Sequence, residues 1–562
     1  MSFDVPAGPP PSEPPPGGPP PSGPVEYLDS RGGDGTPPSS SGSGRRTTVI
    51  AVAAFVGVAA VGGAAWAAWS FFSTGAQPAE ALPASTLGYV SIDLDPSGGQ
   101  KIEALRALKQ FPAFEDEIGL DTDDDIREWI FDKIQGEVEC AGLDYDEDIE
   151  PWLGDRFAIA AVDTGDDQAP VFVVQVSDED AADEGLAKLR ECGGGGPDDV
   201  AWSIDGDWAL IGADQQVVDD VAKDAATSTL ADDDDFKKWT DAAGDGGIMS
   251  MYAAPAAGKV LAEDLDGLGL FGSTIMEDSS SDGTFSSETT DSPPPDELTE
   301  ALKDFKGAAA TVRFDDGGLE LELAADPAAT GRDLTAGDEG AEAVATLPDD
   351  TAAAIGMSFD EGWVVDIFDQ VAKSSGESAD DLMTDLSTQL GIDLPGDLET
   401  LVGESVAVAL DADFDPSSVM SSPGSDAGSD LTGIGVKVLG DSDDIGGVLD
   451  KLRASADGAD GGIIDSDAKG DVVAIGPDAD YRAVLLEDGG LGDSDVFKSV
   501  VEHADDAAAI VYVNFDAGDD WLAELAGDDA EVHDNLAPLK ALGLSSWVDD
   551  DVAHAVIKVT TD

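Results

Sequence analysis

Basic residues are scarce in this chain: 28 lysines and arginines stand against 119 aspartates and glutamates in 562 residues, a formal net charge of −91. That shortage excludes nucleic acid as a partner, because phosphate binding needs clustered cations to displace counterions. It also opposes docking on anionic lipid headgroups. Histidine is nearly missing: only His503, His533 and His554 occur, and none has a partner at metal or triad spacing. No HExxH, GxSxG or GxxxxGK[ST] string occurs, so the signatures of zinc hydrolases, nucleophile elbows and phosphate loops are missing. No catalytic, cofactor or metal residue is therefore assigned. Cysteine is limited to Cys140 and Cys192. Outside the cytoplasm the two can form a disulfide, closing a loop of roughly 50 residues for a few kcal/mol in the chain-entropy model; two buried free thiols are the alternative.

What the chain has in excess is acid, spread through every segment beyond the first 73 residues. The scatter fits a global surface property, adaptation to salt that screens self-repulsion; cation storage or a cationic partner is the other reading. Two stretches, Asp121 to Asp125 and Asp144 to Asp148, open like calcium loops. Isoleucine replaces the glycine needed at the sixth position, and the twelfth is Asp instead of Glu, so calcium loops are not expected, and the first stretch reads better as a helix start.

Residues 1–46 are a Pro/Gly-rich tail that cannot bury a core, and a disordered cytoplasmic segment is expected. Residues 47–73 hold an uncharged run over 49–72, about 36 Å long as a helix and enough to cross a bilayer of ~30 Å. Arg45 and Arg46 precede it, so the positive-inside rule puts the tail in the cytoplasm and the body outside. A cleaved signal peptide, with Ala79-Glu80-Ala81 as its site, is the rival, but the apolar run is longer than such peptides use. The expectation is a single-pass plasma-membrane protein contacting lipid through 49–72.

The body reads as written twice. ALPASTLGYVSIDLDP (81–96) matches ATLPDDTAAAIGMSFDE (345–361), and APVFVVQVSDEDAADEGLAKLRE (169–191) matches LTGIGVKVLGDSDDIGGVLDKLRA (431–454). The order of matching segments is kept throughout. Repeat 1 spans 80–326, with a disordered loop expected over 276–297, and repeat 2 spans 343–562. Periodicity predicts strands over Phe157–Val162 and Val171–Val176, a helix over Asp178–Arg190, and a hairpin turning at Asp205-Gly206-Asp207. A helix over Gln215–Lys223 and a strand over Ile248–Tyr252 follow. The expected class is α+β: two tandem repeats, each an antiparallel sheet with helices on one face around a ferredoxin-like split βαβ core, after one transmembrane helix.

The stretch Glu150 to Asp163, EPWLGDRFAIAAVD, has a twin in TLVGESVAVALD. Gly154 and Gly403 recur while Trp152 and Arg156 do not, so the shared part reads as a glycine turn feeding a strand. Trp152 is expected in a core or interface, and Asp155 with Arg156 as a surface or turn pair. With ALPASTLGYVSIDLDPSGGQ, this stretch resembles the actinobacterial domain-of-unknown-function family 3352. The resemblance implies a cell-envelope protein without an assigned activity and carries no functional residues. The expected function is a non-catalytic binding or scaffold module for an unidentified envelope protein or ligand. The alternatives are a carrier of lipid or another apolar ligand, and an acid-pair hydrolase of envelope glycans.

Overall fold

The structure is a computed structural model that describes residues 77–94, 104–119, 125–137, 143–192, 199–263, 302–327, 340–412, 433–456, 463–518 and 530–562, apart from isolated positions. The expected tail, the transmembrane segment 47–73, the loop 276–297 and Cys140 lie outside the described residues. Among the described residues no helix is long and apolar enough to cross a membrane.

In the first half, β1 (Thr86–Asp93) is followed by α1 (Pro112–Glu117) and α2 (Ile126–Glu137), then β2 (Leu153–Asp163) and β3 (Gln168–Val176). Next come α3 (Glu179–Cys192), β4 (Ala201–Asp205), β5 (Trp208–Gly212), α4 (Gln215–Ala225) and α5 (Asp234–Ala242). The half ends with β6 (Met249–Ala253), α6 (Pro255–Glu263), β7 (Ala308–Asp315) and β8 (Gly318–Ala325). The second half runs α7 (Gly340–Ala345), β9 (Ala353–Met357), α8 (Trp363–Ser375), α9 (Ala379–Leu390), α10 (Gly396–Val402), β10 (Ser405–Leu410) and β11 (Ile434–Leu439). It continues with α11 (Ser442–Ser455), β12 (Ser466–Lys469), β13 (Val472–Ile475) and α12 (Ala479–Leu485). Then come α13 (Asp495–Val500), β14 (Ala509–Asn514), α14 (Ala530–Leu536), β15 (Leu539–Asp549) and β16 (Val552–Thr561).

The capping chemistry explains several of these boundaries. Asp214 accepts hydrogen bonds from the Gln216 and Val217 amides to open α4, Asp233 does the same for α5, and Asp441 for α11. An acid-rich chain is well supplied with such N-caps. The expected hairpin forms β4 and β5, with Gly206 at φ 58° in its turn.

Among the described residues sixteen strands form one sheet in the order β12-β13-β11-β10-β9-β14-β15-β16-β8-β7-β6-β1-β2-β3-β5-β4, with antiparallel neighbours. Read from each edge inwards, the first half runs 4-5-3-2-1-6-7-8 and the second 12-13-11-10-9-14-15-16. The halves meet where β8 pairs with β16, Leu321 opposite Ile557. The split connection β3–α3–β4, with β5 between the two strands, is present. The closing strand departs from a ferredoxin-like arrangement: β6 pairs with β1, and β1 and β2 separate it from β3.

Helices cover both faces of the sheet, which corrects the expectation of helices on one. On one face Val218 and Val221 of α4 and Trp239 of α5 join Ala158, Ala160, Val171 and Val173 in a core. In the second half the same face is closed by α7, α12 and α13 over Ala354, Ala407, Ala474 and Tyr512. On the opposite face α1 and α2 bury Phe114 and Ile126 against Val312 and Phe314, and α3 buries Ala182 and Leu186 against Val174 and Val176. Strands β2, β3 and β5 are largely apolar on both sides because both sides are roofed.

Candidate functional site

The stretch around Trp152 is a bulge at the start of β2: Leu153 lies opposite Val176 but Phe157 lies opposite Val174, so the bulged strand carries extra residues there. Trp152 is 2% exposed, and its indole N–H donates to the Asp148 carbonyl at 2.7 Å. It sits against Gly185 of α3, where any side chain would overlap the indole. Gly154 lies against Gln175, whose side-chain oxygen accepts from the Asp155 amide at 3.2 Å. Gly403 plays a different part: it ends α10 at φ 63°, and a Cβ there would run into the Leu439 carbonyl. Only Gly403 needs the left-handed region.

The bulge turns Asp155 outwards and Arg156 inwards. Arg127 of α2 reaches Asp155 at 3.2 Å, Asp125 at 2.8 Å and the Leu153 carbonyl at 2.8 Å. Tyr145 donates to Asp125 at 2.9 Å. Burial alone would raise the Asp125 carboxyl, but its hydrogen bonds to Arg127 outweigh this and hold it below the ordinary range. Arg156 is buried and donates from Nε to Asp93 at 2.9 Å, so the expected surface pair with Asp155 is corrected to two separate ion pairs. Asp93 and Arg156 line a small polar pocket with Gln77, Ser91 and Ser250.

Sequence reasoning missed a charged network at the junction of the halves. Glu320 and Glu322 of β8 face Arg313 of β7, which pairs with both, and Lys558 of β16. Glu320 is 0% exposed and Lys558 3%. The Lys558 ammonium stands 3.0 Å from Asp315, 3.1 Å from Glu320 and 2.5 Å from Glu502. The Glu320 oxygens are within ion-pair reach of both cations yet out of line for a hydrogen bond. Burial pushes the Glu320 carboxyl up, against the pull of Arg313 and Lys558. Burial would lower the Lys558 ammonium, but hydrogen bonds to Glu502 and Asp315 and the nearby charge of Glu320 raise it instead. Oxygens of Asp315, Glu320 and Glu502 converge within 4.8 Å of one another, as metal ligands would; the ammonium of Lys558 contacts all three. The signal was the alternation Leu319-Glu320-Leu321-Glu322-Leu323, which puts two acids on one face of a central strand.

Beside this network the indole of Trp547 stacks on two histidines, at 4.2 Å on His503 and 5.0 Å on His554. Burial lowers the His554 imidazole below its ordinary value. Asp144 and Asp148 are engaged in capping, Asp144 accepting from the Glu147 amide and Asp148 from the Asp144 amide and Lys188. Cys192 is disulfide-bonded. A GxGxxG string at 267–272 lies outside the described residues.

The remaining feature is a sheet face that no helix among the described residues covers. Three cross-strand rows span β10, β9, β14, β15, β16 and β8, the middle one running Val408–Ile355–Val511–Leu544–Ile557–Leu321. Ser546 is the one polar side chain in the three rows. Ile355 is 48% exposed and Val408 43%. Exposed apolar faces of this extent mark interaction sites more often than plain surface.

In comparison with known families, a family described as protein of unknown function (DUF3352) matches residues 48–200, in keeping with the resemblance of the first-half segments. No curated protein and no solved structure matches the chain.

Proposed function

We propose that this chain is a membrane-tethered, non-catalytic binding module whose body stands outside the cell. The carrying observation is the uncharged sheet face, with Ile355 and Val408 exposed in a chain of net charge −91. Burying that face against a partner removes apolar surface from water at roughly 25 cal/mol per Å². An open face also favours a macromolecule over a carried lipid, which needs enclosure. The charged network is fitted for structure: each of its acids is paired with Arg313 or Lys558, which leaves the hydrolase reading without an unpaired acid there.

The tether rests on the uncharged run 49–72 behind Arg45 and Arg46. We read the body as a tandem duplication, 80–326 and 343–562, supported by the same strand order in both halves. Cys192 pairs with Cys140 in this reading, since the chain has two cysteines, and an exported body suits that bond. The acidic surface is a salt adaptation. Reporter fusions at the N-terminus and after Asp562, combined with pull-down from detergent-solubilised membranes, test the reading. A cytoplasmic C-terminus would refute the tether, and a chain that retains no partner under any salt would refute the binding role.

A further inference from the structure

We infer that the uncovered face of β9, β14, β15 and β16 docks a cationic amphipathic helix from a partner protein. The inference rests on the binding reading above and names the chemistry of its partner. Residues directly paired across antiparallel strands share a face, so the row through Ile355 and Ile557 continues through Leu321 to Val312, Met249 and Ile92. At that end it passes beneath α1 and α2. At the other end it continues through Val436 to Ile475, beneath α10 and α11. Among the described residues the open strands are thus a gap in a layer of helices that exists on both sides. Four strands at ~4.8 Å spacing make the gap about 14 Å wide between outer strand axes. One helix, ~10 Å across with its side chains, fills such a space.

The width argues for a helix over the other occupants. A second copy would bring its own flanking helices against these walls, holding the two sheets roughly two helix layers apart, and both copies carry −91. A bilayer with anionic lipids is repelled by the same charge. A helix with an apolar side for the sheet and lysines or arginines on the other meets both surfaces. Its apolar side replaces water over Val408, Ile355, Val511 and Leu544, and its cations are attracted by a chain of net charge −91. Helix-in-groove docking of this kind relies on i, i+3, i+4 and i+7 anchors for affinity and on charge for encounter rate.

The test uses the full chain in phosphatidylcholine nanodiscs, with empty discs as blank, and a fluorescent 18-residue Leu/Lys amphipathic helix as probe. Ile355→Glu with Val408→Glu makes the face more acidic but less apolar, and both sites are exposed enough for the fold to tolerate the change, which an unchanged melting temperature verifies. Docking on the face predicts at least tenfold weaker anisotropy binding for the double variant. Equal or tighter binding would mean adsorption by charge alone and would overturn the inference, as would equal binding of a Leu/Glu helix. A dimer in sedimentation that the double variant dissociates would assign the face to a second copy, again overturning it. If the probe fails to bind while the wild-type chain still captures a membrane-extract partner that the double variant loses, the helix inference falls and the binding reading stands.

Discussion

From Val312 to Ala209 one row of side chains crosses the first half of the sheet beneath helices α1, α2 and α3. From Val408 to Ile557 the same row crosses the second half with Ile355 and Val408 in contact with solvent. The strands under the two stretches follow the same order, so the difference lies in what the connections between strands do. After β1 the chain returns α1 and α2 onto the sheet. After β9 it spends α8 and α9 on each other and on α10 and α11, and none of the α9 side chains is buried. Half-sheets of the same strand order can therefore be finished as a closed core or as an open surface by their crossovers.

The sharpest way to break that comparison is at the pair Trp152 and Leu401, which occupy matching places. Trp152 fills the space over Gly185 under α3, whereas Leu401 is only partly buried beside α11. Trp152→Ala is expected to cost about 4 kcal/mol and Leu401→Ala about 2 kcal/mol, measured by urea unfolding. Equal losses would mean that the first half is no more tightly closed than the second at this point. Next in size is Lys558→Met at the junction. Removing the ammonium leaves Asp315 and Glu502 without it and Glu320 with Arg313 alone, at an expected cost of about 3 kcal/mol. If the halves are held together by this network, the variant should also unfold in two steps by calorimetry; a single transition at wild-type stability would assign the junction to the β8–β16 ladder alone.

Much of the fold was legible because its signals are local. The strands Phe157–Val162 and Val171–Val176, the Gly206 turn and the helix after Asp214 are fixed by alternation, turn chemistry and capping. Pairing between distant segments was not legible. Arg156 finds Asp93 across 63 residues and Lys558 finds Asp315 across 243, and no local pattern distinguishes those acids among 119. The open face was hidden for a related reason: Ile355 and Val408 sit in ordinary apolar strands, and exposure depends on whether a helix elsewhere returns to cover them.

The two recurring glycines offer a smaller contrast. Gly403→Ala must hold φ 63° and push on the Leu439 carbonyl, so a loss of about 2 kcal/mol is expected. Gly154→Ala meets the Gln175 side chain, which can move, and about 1 kcal/mol is expected. The reverse ranking in thermal melts would show that the bulge, not the α10 end, is the rigid joint.

The smallest expected effect is a pH dependence confined to one half. Val173 on β3 faces Leu210 across the sheet, while Lys437 occupies the matching place on β11, opposite Ala474. Lys437 is buried, and its ammonium donates to the Thr346 and Glu487 carbonyls at 2.8 and 2.9 Å. These carbonyls follow the C-termini of α7 and α12, where a cation is favoured by the helix dipoles. Burial still dominates and brings the ammonium down to about 8, with Asp488 and Glu487 opposing. Above that pH the folded chain binds fewer protons at this site than the unfolded chain, whose lysine titrates near ~10.4. Stability contributed here must therefore rise with pH through that window and be smallest below it. The wild-type chain should gain about 1 kcal/mol on Lys437→Met between pH 7.5 and 9, read as the difference of two urea curves. Taking the difference removes the titration of distant acids common to both proteins. A difference that stays flat would mean that the carbonyl bonds fully offset burial, making Lys437 as neutral to pH as the valine it replaces in the other half.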